Sequence, residues 1–528
     1  MRFVVMLMLA VTLLTTGCMK VGPDFTTPPA PLADSWLEPD NKQLTVTSDQ
    51  HEEWWTVFND PVLNKLVEEA YQQNLNLQIA GLRILESRAQ LGIATGNLYP
   101  QQQQATAGTA AIGASRHAAN TVAGDLHFKD LSVGMNAAWE LDFWGKFRRG
   151  VESADAQFLA AIADYDDVMV LLTADVARAY FLIRTNEERI VLAEESVAIQ
   201  KRSLEIAENR FDGGLVTELD VQQARSLLAN TLATIPRLQL GYHQAMNALS
   251  VLLGQPPGDM TATLNAPGHV AGIPKAPAKV AVGVPADLLR RRPDVRRAEL
   301  QAAAQSSLIG VARADLYPHF TLIGSVGLQA SESSFTNKGG SNFSDLFSGD
   351  SLTYFTGPSL TWDLLNYGRI KNRVRVQDAR LQQLIVNYQN TVLRAAQETE
   401  DAIIGFLKKQ QEAFHLEDAV AASQRSVDIS LLQYGEGLTD YQRVLDAQRG
   451  LSIDQDALAS TQGVVVLNLV SMYKALGGGW QHRSGQDFVN PETQQQMAER
   501  TDWGGLLEEP RKEQNETSEE SEWLWPDW

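Results

Sequence analysis

Two different periods of apolar residues run along this chain. At Val151, Ala154, Phe158, Ala161, Tyr165, Val168, Leu172, Asp175, Ala179 and Leu182 the spacing alternates between three and four. That is a heptad seam, which joins helices by knobs-into-holes packing, and Asp175 is its one polar member. Val374, Leu381, Leu384, Tyr388 and Ala395 repeat it, with Glu398 where Asp175 stood. No proline interrupts Lys146 to Arg210. At about 1.5 Å per residue this predicts a helix of nearly 100 Å, a length suited to a tube or a tether.

The other period is two. Leu131, Val133, Met135, Ala137, Trp139 and Leu141 alternate with polar or small residues. So do Phe320, Leu322, Val326 and Leu328, and again Leu352, Tyr354, Leu360, Trp362 and Leu364. A fourth segment, Gln101 to Ala114, is mostly Gln, Ala, Thr and Gly and carries the weakest alternation. Alternation over about 10 residues with aromatics near the ends fits a transmembrane β-strand, and fits a half-buried soluble sheet as well. Gly113 to Asp125 and Ser331 to Asp350, rich in Gly, Ser and Asn, read as exposed loops of two hairpins.

These patterns occur twice. Trp139-Glu140-Leu141-Asp142-Phe143-Trp144-Gly145-Lys146 has a counterpart 223 residues on, in Trp362-Asp363-Leu364-Leu365-Asn366-Tyr367-Gly368-Arg369. The same offset takes Phe211, Gly214, Leu215, Val221 and Ala224 to Tyr434, Gly437, Leu438, Val444 and Ala447. Upstream, Leu98-Tyr99-Pro100 matches Leu316-Tyr317-Pro318 at an offset of 218. Length alone, 528 residues, suggests three or four domains; the repeat reduces this to two copies of one unit. The copies span 58–254 and 287–478. Between them, 255–286 holds six prolines and reads as an extended linker. Residues 479–528 are expected to be a disordered acidic tail; from 499 onward it holds 10 acids against 3 bases.

Charge and cysteine content narrow the partners. With 44 basic and 64 acidic side chains the chain carries −20, which argues against nucleic acid. Its single cysteine, Cys18, excludes an intramolecular disulfide and a Cys-based metal cluster. Arg2 precedes an apolar run from Phe3 to Leu14, too short to span a bilayer and suited to a signal peptide over 1–17. Thr15-Thr16-Gly17-Cys18 then resembles a bacterial lipobox, making Cys18 a lipid attachment point at the head of an extended segment, 18–57. The eight histidines form no HExxH pair, and no GxSxG, phosphate-binding loop or dinucleotide fingerprint occurs, so no enzyme is expected.

Lipid cannot satisfy open strand edges, so four strands imply assembly: eight strands in a dimer, twelve in a trimer, of which the trimer leaves a lumen. The lipobox, the Cys18-Met19-Lys20-Val21-Gly22-Pro23-Asp24-Phe25 start and the duplicated units resemble the TolC-like outer membrane factors, in the lipoprotein branch typified by OprM and NodT. The resemblance implies an α+β membrane protein: a homotrimer with a 12-stranded β-barrel in the outer membrane, continued by an α-helical barrel across the periplasm. It implies an efflux outlet for small molecules such as drugs or toxic compounds, docked on a periplasmic adaptor and an inner-membrane RND-type pump. It implies no cofactor and no metal, only the covalent lipid on Cys18. A type I protein-secretion outlet and a non-channel coiled-coil lipoprotein are the alternatives.

The family's periplasmic entrance lies where the two long helices of each copy turn. Here the turns carry Gly213, Gly214, Gly435 and Gly437, where glycine permits the positive φ of a tight reversal. Thr439, Asp440, Arg443 and Asp446 follow the second turn. By resemblance, Asp446 is the inner member of a pair of constricting aspartates, which three-fold symmetry would make a cation-selecting ring. Arg443 occupies the other member's place. A family Arg that ties the entrance shut falls at Thr439, and its Asp partner at Asp220, so that lock is expected to be absent or rebuilt.

Overall fold

The computed structural model describes residues 20–33, 35–38, 41, 44–45, 52–117, 119, 126–269, 271–277, 280–281, 291–333, 343–483 and 486–507. Cys18, the signal peptide and the tail from 508 onward lie outside them. The first copy contains α1 (Pro61–Gln73), α2 (Leu75–Gly96), β1 (Gln102–Gly113), β2 (His127–Leu141), α3 (Lys146–Asp212) and α4 (Glu218–Leu252), of which the elements from α2 onward are the repeated ones. The second repeats it as α5 (Pro293–Ala314), β3 (His319–Ser333), β4 (Leu352–Thr361), α6 (Arg369–Gly435) and α7 (Tyr441–Ala475). The duplication is metrical as well: α3 and α6 each have 67 residues, and α4 and α7 each have 35. Both long helices start after a left-handed glycine, Gly145 (φ 72°) and Gly368 (φ 81°).

The four strands form one antiparallel sheet in the order β1-β2-β3-β4. Its register places Ala105, Met135, Val326 and Tyr354 in one row, and Ala107, Val133, Leu328 and Leu352 in the next. These rows form an apolar face that the chain itself leaves exposed; Met135 is 61% and Tyr354 77% exposed. The opposite face carries Ser132, Asn136, Ser325 and Gln329. Gly134 and Gly327 face each other so closely that a Cβ on either would lie 2.8 Å from the other strand's backbone. Both outer strands, β1 and β4, end in open edges.

The core lies where the helices converge midway along the molecule. Trp54, Phe58, Tyr180, Phe181, Leu249, Phe406 and Leu469 are all buried there. Leu264 at the end of a helical turn, Thr261–Leu264, joins them, and its carbonyl accepts from Arg184. The linker is thus part of the core over this stretch rather than extended throughout. Residues 280–281 also pair in parallel with 44–45.

Two further expectations need correction. The α3 seam does not hold to its end: Asp175 and Leu182 are exposed, while Val176, Ala177 and Tyr180 are buried. A straight helix drifts about 20° per heptad, and α3 also meets α1, α2, α4, α5 and α7, so its buried face widens. Nor is the stretch 479–507 disordered. It forms a short 3-10 turn, Trp480–Arg483, and α8 (Pro491–Arg500). Arg483 pairs with Asp166, which is 1% exposed, and Phe488 packs edge-on against Tyr165 with ring centres 5.2 Å apart. His482 stands between Glu53 (3.3 Å) and Glu68 (2.9 Å). Acidic composition misled here because His482, Arg483 and Phe488 of the segment have partners on the helical body.

An N-terminal strap runs down the outside of these helices. The Val21 N–H donates to the Trp144 carbonyl, and the buried Arg149 holds the carbonyls of Val21 and Gly22 and the carboxylate of Asp24. Arg149 in turn holds the Asp24 carboxyl below the ordinary range through its hydrogen bond and charge. Gly22, at φ 106°, lies against Gly310, where a Cβ would be 2.5 Å from the Gly310 Cα.

Candidate functional site at the helical tips

The turns α3–α4 and α6–α7 come together at the end of the molecule farthest from the sheet. Each helix ends in the same motif. The Leu215 N–H reaches back to the Arg210 carbonyl (2.9 Å) and the Leu438 N–H to the Gln433 carbonyl (2.8 Å). Only the residue after the last helical turn must be left-handed, so the positive φ falls on Gly214 (72°) and Gly437 (75°) alone. Gly213 is right-handed at φ −76° and Gly435 is still helical, so those two are not required to be glycine on this ground.

Beneath the turns the two hairpins share a small core of Ala207, Val221, Ala224, Leu227, Tyr434, Tyr441, Val444 and Leu445. Polar contacts lock it. The Tyr434 hydroxyl donates to Asp220 on α4 at 3.4 Å. Arg210 on α3 donates to the Tyr434 and Gly435 carbonyls at the end of α6, and its guanidinium lies 4.7 Å above the Tyr434 ring. A cation there satisfies carbonyls without helical partners and meets the negative end of the helix dipole. The Tyr441 hydroxyl lies 3.1 Å from Ser203 Oγ on α3. Burial, with Asp220 nearby, pushes the Tyr434 hydroxyl up to about 12, so it keeps its proton and remains a donor at neutral pH.

The structure separates the residues predicted from sequence. Asp220 belongs to this lock, with Tyr434 rather than Thr439 as its partner. Asp440 caps α7, accepting from the Arg443 N–H at 3.3 Å. Arg443 and Asp446 lie exposed one turn apart, and no ion pair joins them. Asp446 instead accepts from Gln442 at 3.0 Å. Arg210, Tyr434, Tyr441 and Ser203 were not anticipated. A signal was available: Arg210 has Gln433 as its repeat counterpart, so the copies differ in charge just before a tip that is otherwise duplicated.

Among the described residues no group of three or more His, Cys, Asp or Glu is placed to hold a metal ion. None of the described helices is long and apolar enough to cross a membrane. The family model described as "Outer membrane efflux protein" matches residues 66–255 and 284–478. The chain belongs to this outer membrane efflux family. It is 30% identical to Nodulation protein T of Rhizobium leguminosarum bv. trifolii over 451 residues, 85% of this chain and 91% of that protein. It is 29% identical to the cation efflux system protein CusC of Escherichia coli O6:H1, over 89% of this chain and 98% of that one. Among solved structures, the outer-membrane channel OprN matches with a TM-score of 0.80 at 32% identity, covering 87% of this chain and 99% of that one. The fold is that of the TolC-like channels, and the chain is an outer membrane channel component of an efflux system, its helices reaching into the periplasm.

Proposed function

We propose that three copies of this chain form one conduit, whose mouth at the helical tips is held shut by the Asp220–Tyr434–Arg210 lock and opens when the hairpins part. The observation that carries this reading is the lock itself. It ties the two hairpins of one chain together at their free ends, where a solute from the periplasm or the pump would enter. Three copies bring twelve strands, enough for a barrel with a lumen, and remove the open edges of β1 and β4 that lipid would leave unsatisfied.

In this reading Asp446 forms a ring of three carboxylates one turn inside the mouth. Arg443 lies beside that ring without pairing to Asp446, so the cation preference survives in weakened form. Leu215 and Leu438, 70% and 78% exposed, present apolar tips to a periplasmic adaptor, and an inner-membrane RND-type pump completes the path. The solutes are small toxic compounds, and the pump chooses among them. The chain's own part is passage and gating, with no catalysis and no cofactor. Cys18 carries the lipid. This reading draws support from the strap, which pins Val21 to Trp144 at the foot of the sheet three residues after Cys18 in sequence.

The test is drug susceptibility in cells lacking their own outlet but retaining adaptor and pump. Expression of the chain is expected to restore resistance, and Asp220→Ala to admit large antibiotics from outside. Resistance that stays absent with every compatible adaptor and pump would contradict the efflux role.

A further inference from the structure

The chain contains, between its own two halves, a template for its contact with the next copy. We infer that β4 of one subunit pairs antiparallel with β1 of its neighbour in a single register, Leu360 opposite Ala107 and Trp362 opposite Ala105. This inference rests on the trimer reading above and adds the seam to it.

The first copy meets the second through β2 and β3, where Trp139 faces Leu322 and Ala137 faces Gly324. If the same junction recurs between subunits, β4 takes the place of β2 and the neighbour's β1 that of β3. The offset from β2 to β4 is 223, fixed by Trp139 and Trp362. The offset from β1 to β3 comes from the hairpins. Ala138 faces Gln102, and Thr361, its counterpart, faces His319, so the strands are related by 217 rather than by the 218 of Leu-Tyr-Pro. The extra residue is Gln101. Its side chain takes the place of a strand residue, accepting from the Glu140 N–H at 2.8 Å and donating to the Glu140 carbonyl at 3.3 Å.

Transferring the junction turns Trp139–Leu322 into Trp362–Ala105 and Ala137–Gly324 into Leu360–Ala107. Two further observations agree. An offset of 218 would set Leu360 against Thr106, on the sheet's other face, whereas 217 joins apolar row to apolar row; a one-residue slip always exchanges faces. Side-chain sizes are also complementary, since β1 offers Ala105, Ala107 and Thr109 where β4 offers Trp362, Leu360 and Pro358. The base of the sheet tells the same story. Trp144 stacks on Tyr317 at 4.6 Å, and Lys146 reaches Asp315 at 3.1 Å. Of their second-copy counterparts, Tyr367 is 98% exposed, and Arg369 lies 3.8 Å from Asp363 of its own copy with its side chain 61% exposed. The seam assigns them Tyr99 and Asn97 of the neighbouring subunit.

Cysteine pairs test this, because Ala107 shares its row with Leu352, so Leu360 of the same chain is three strands away and eight residues further along β4, far beyond the reach of a disulfide. The chain with Ala107→Cys and Leu360→Cys, oxidised in membranes, is expected to run as a covalent trimer on a denaturing gel. Ala105→Cys with Trp362→Cys gives an independent second pair at the same register. Thr106→Cys with Leu360→Cys is expected to stay monomeric on the gel. Cross-linking by the Thr106 pair in place of the Ala107 pair would overturn the register. So would the absence of cross-linking by either predicted pair in protein that light scattering shows to be trimeric. Monomeric protein by light scattering would overturn the trimer reading itself.

Discussion

Arg210 closes the end of a helix that belongs to the other half of its own chain. It reaches from α3 to the last carbonyls of α6 and covers the ring of Tyr434, whose hydroxyl is turned to Asp220. Its Nε atom is buried without a hydrogen-bond partner, so the contact rests on the Nη atoms and the ring face. Charge-assisted hydrogen bonds contribute about 1.5–3 kcal/mol, and 1.4 kcal/mol is tenfold in an equilibrium. Arg210→Ala is therefore expected to shift the tips toward the open state by about tenfold or more, seen as a higher open probability in single-channel recordings. Tyr434→Phe, which removes only the bond to Asp220, is expected to shift it less.

Asp446→Ala is expected to lower the preference for cations, measured as a reversal potential closer to zero under a salt gradient. Arg443→Ala is expected to do the opposite, since it removes the positive charge beside the same ring. Equal reversal potentials in all three proteins would place both residues outside the constriction.

Asp167 makes stability depend on pH. Burial pushes its carboxyl up to about 6, against the pull of Arg297 at 3.2 Å. The folded chain therefore holds this proton where the unfolded chain has released it. Its contribution is full below about pH 4, and is lost as pH rises through about 6. Asp167→Asn removes the titration. Thermal unfolding is expected to show the variant gaining on the wild type between pH 4.5 and 7.5, with no such gain if the carboxyl titrates normally.

Gly81 carries the C-terminal segment. A Cβ there would lie 2.0 Å from the Phe488 carbonyl, a backbone atom that moves only with its segment. Gly81→Ala is expected to release residues 486–507, seen as new protease cleavage there, while cleavage in the two long hairpins stays unchanged.

Much of this was legible in the sequence, for a physical reason. Periods of two and of three-four report which side of an element is apolar, and a duplicated pattern reports it twice. The strands from Leu131 and Phe320, the uninterrupted helix from Lys146 and the glycine turns followed from that. What stayed hidden depends on contacts between distant elements. The lock needed Arg210 and Tyr434, 224 residues apart, to be seen together. The folding of 479–507 needed Asp166 and Tyr165 as partners for Arg483 and Phe488. Glycines 213 and 214 look alike in sequence, and only the backbone shows that the second alone is left-handed.

The central claim is that this chain makes a gated pore. Purified protein in planar bilayers, recorded beside its Arg210→Ala variant, tests it most directly. The account predicts stepwise conductance in both, small or rarely open in the wild type and larger or more often open in the variant. Silent bilayers with both proteins, at every voltage and with insertion verified, would contradict it.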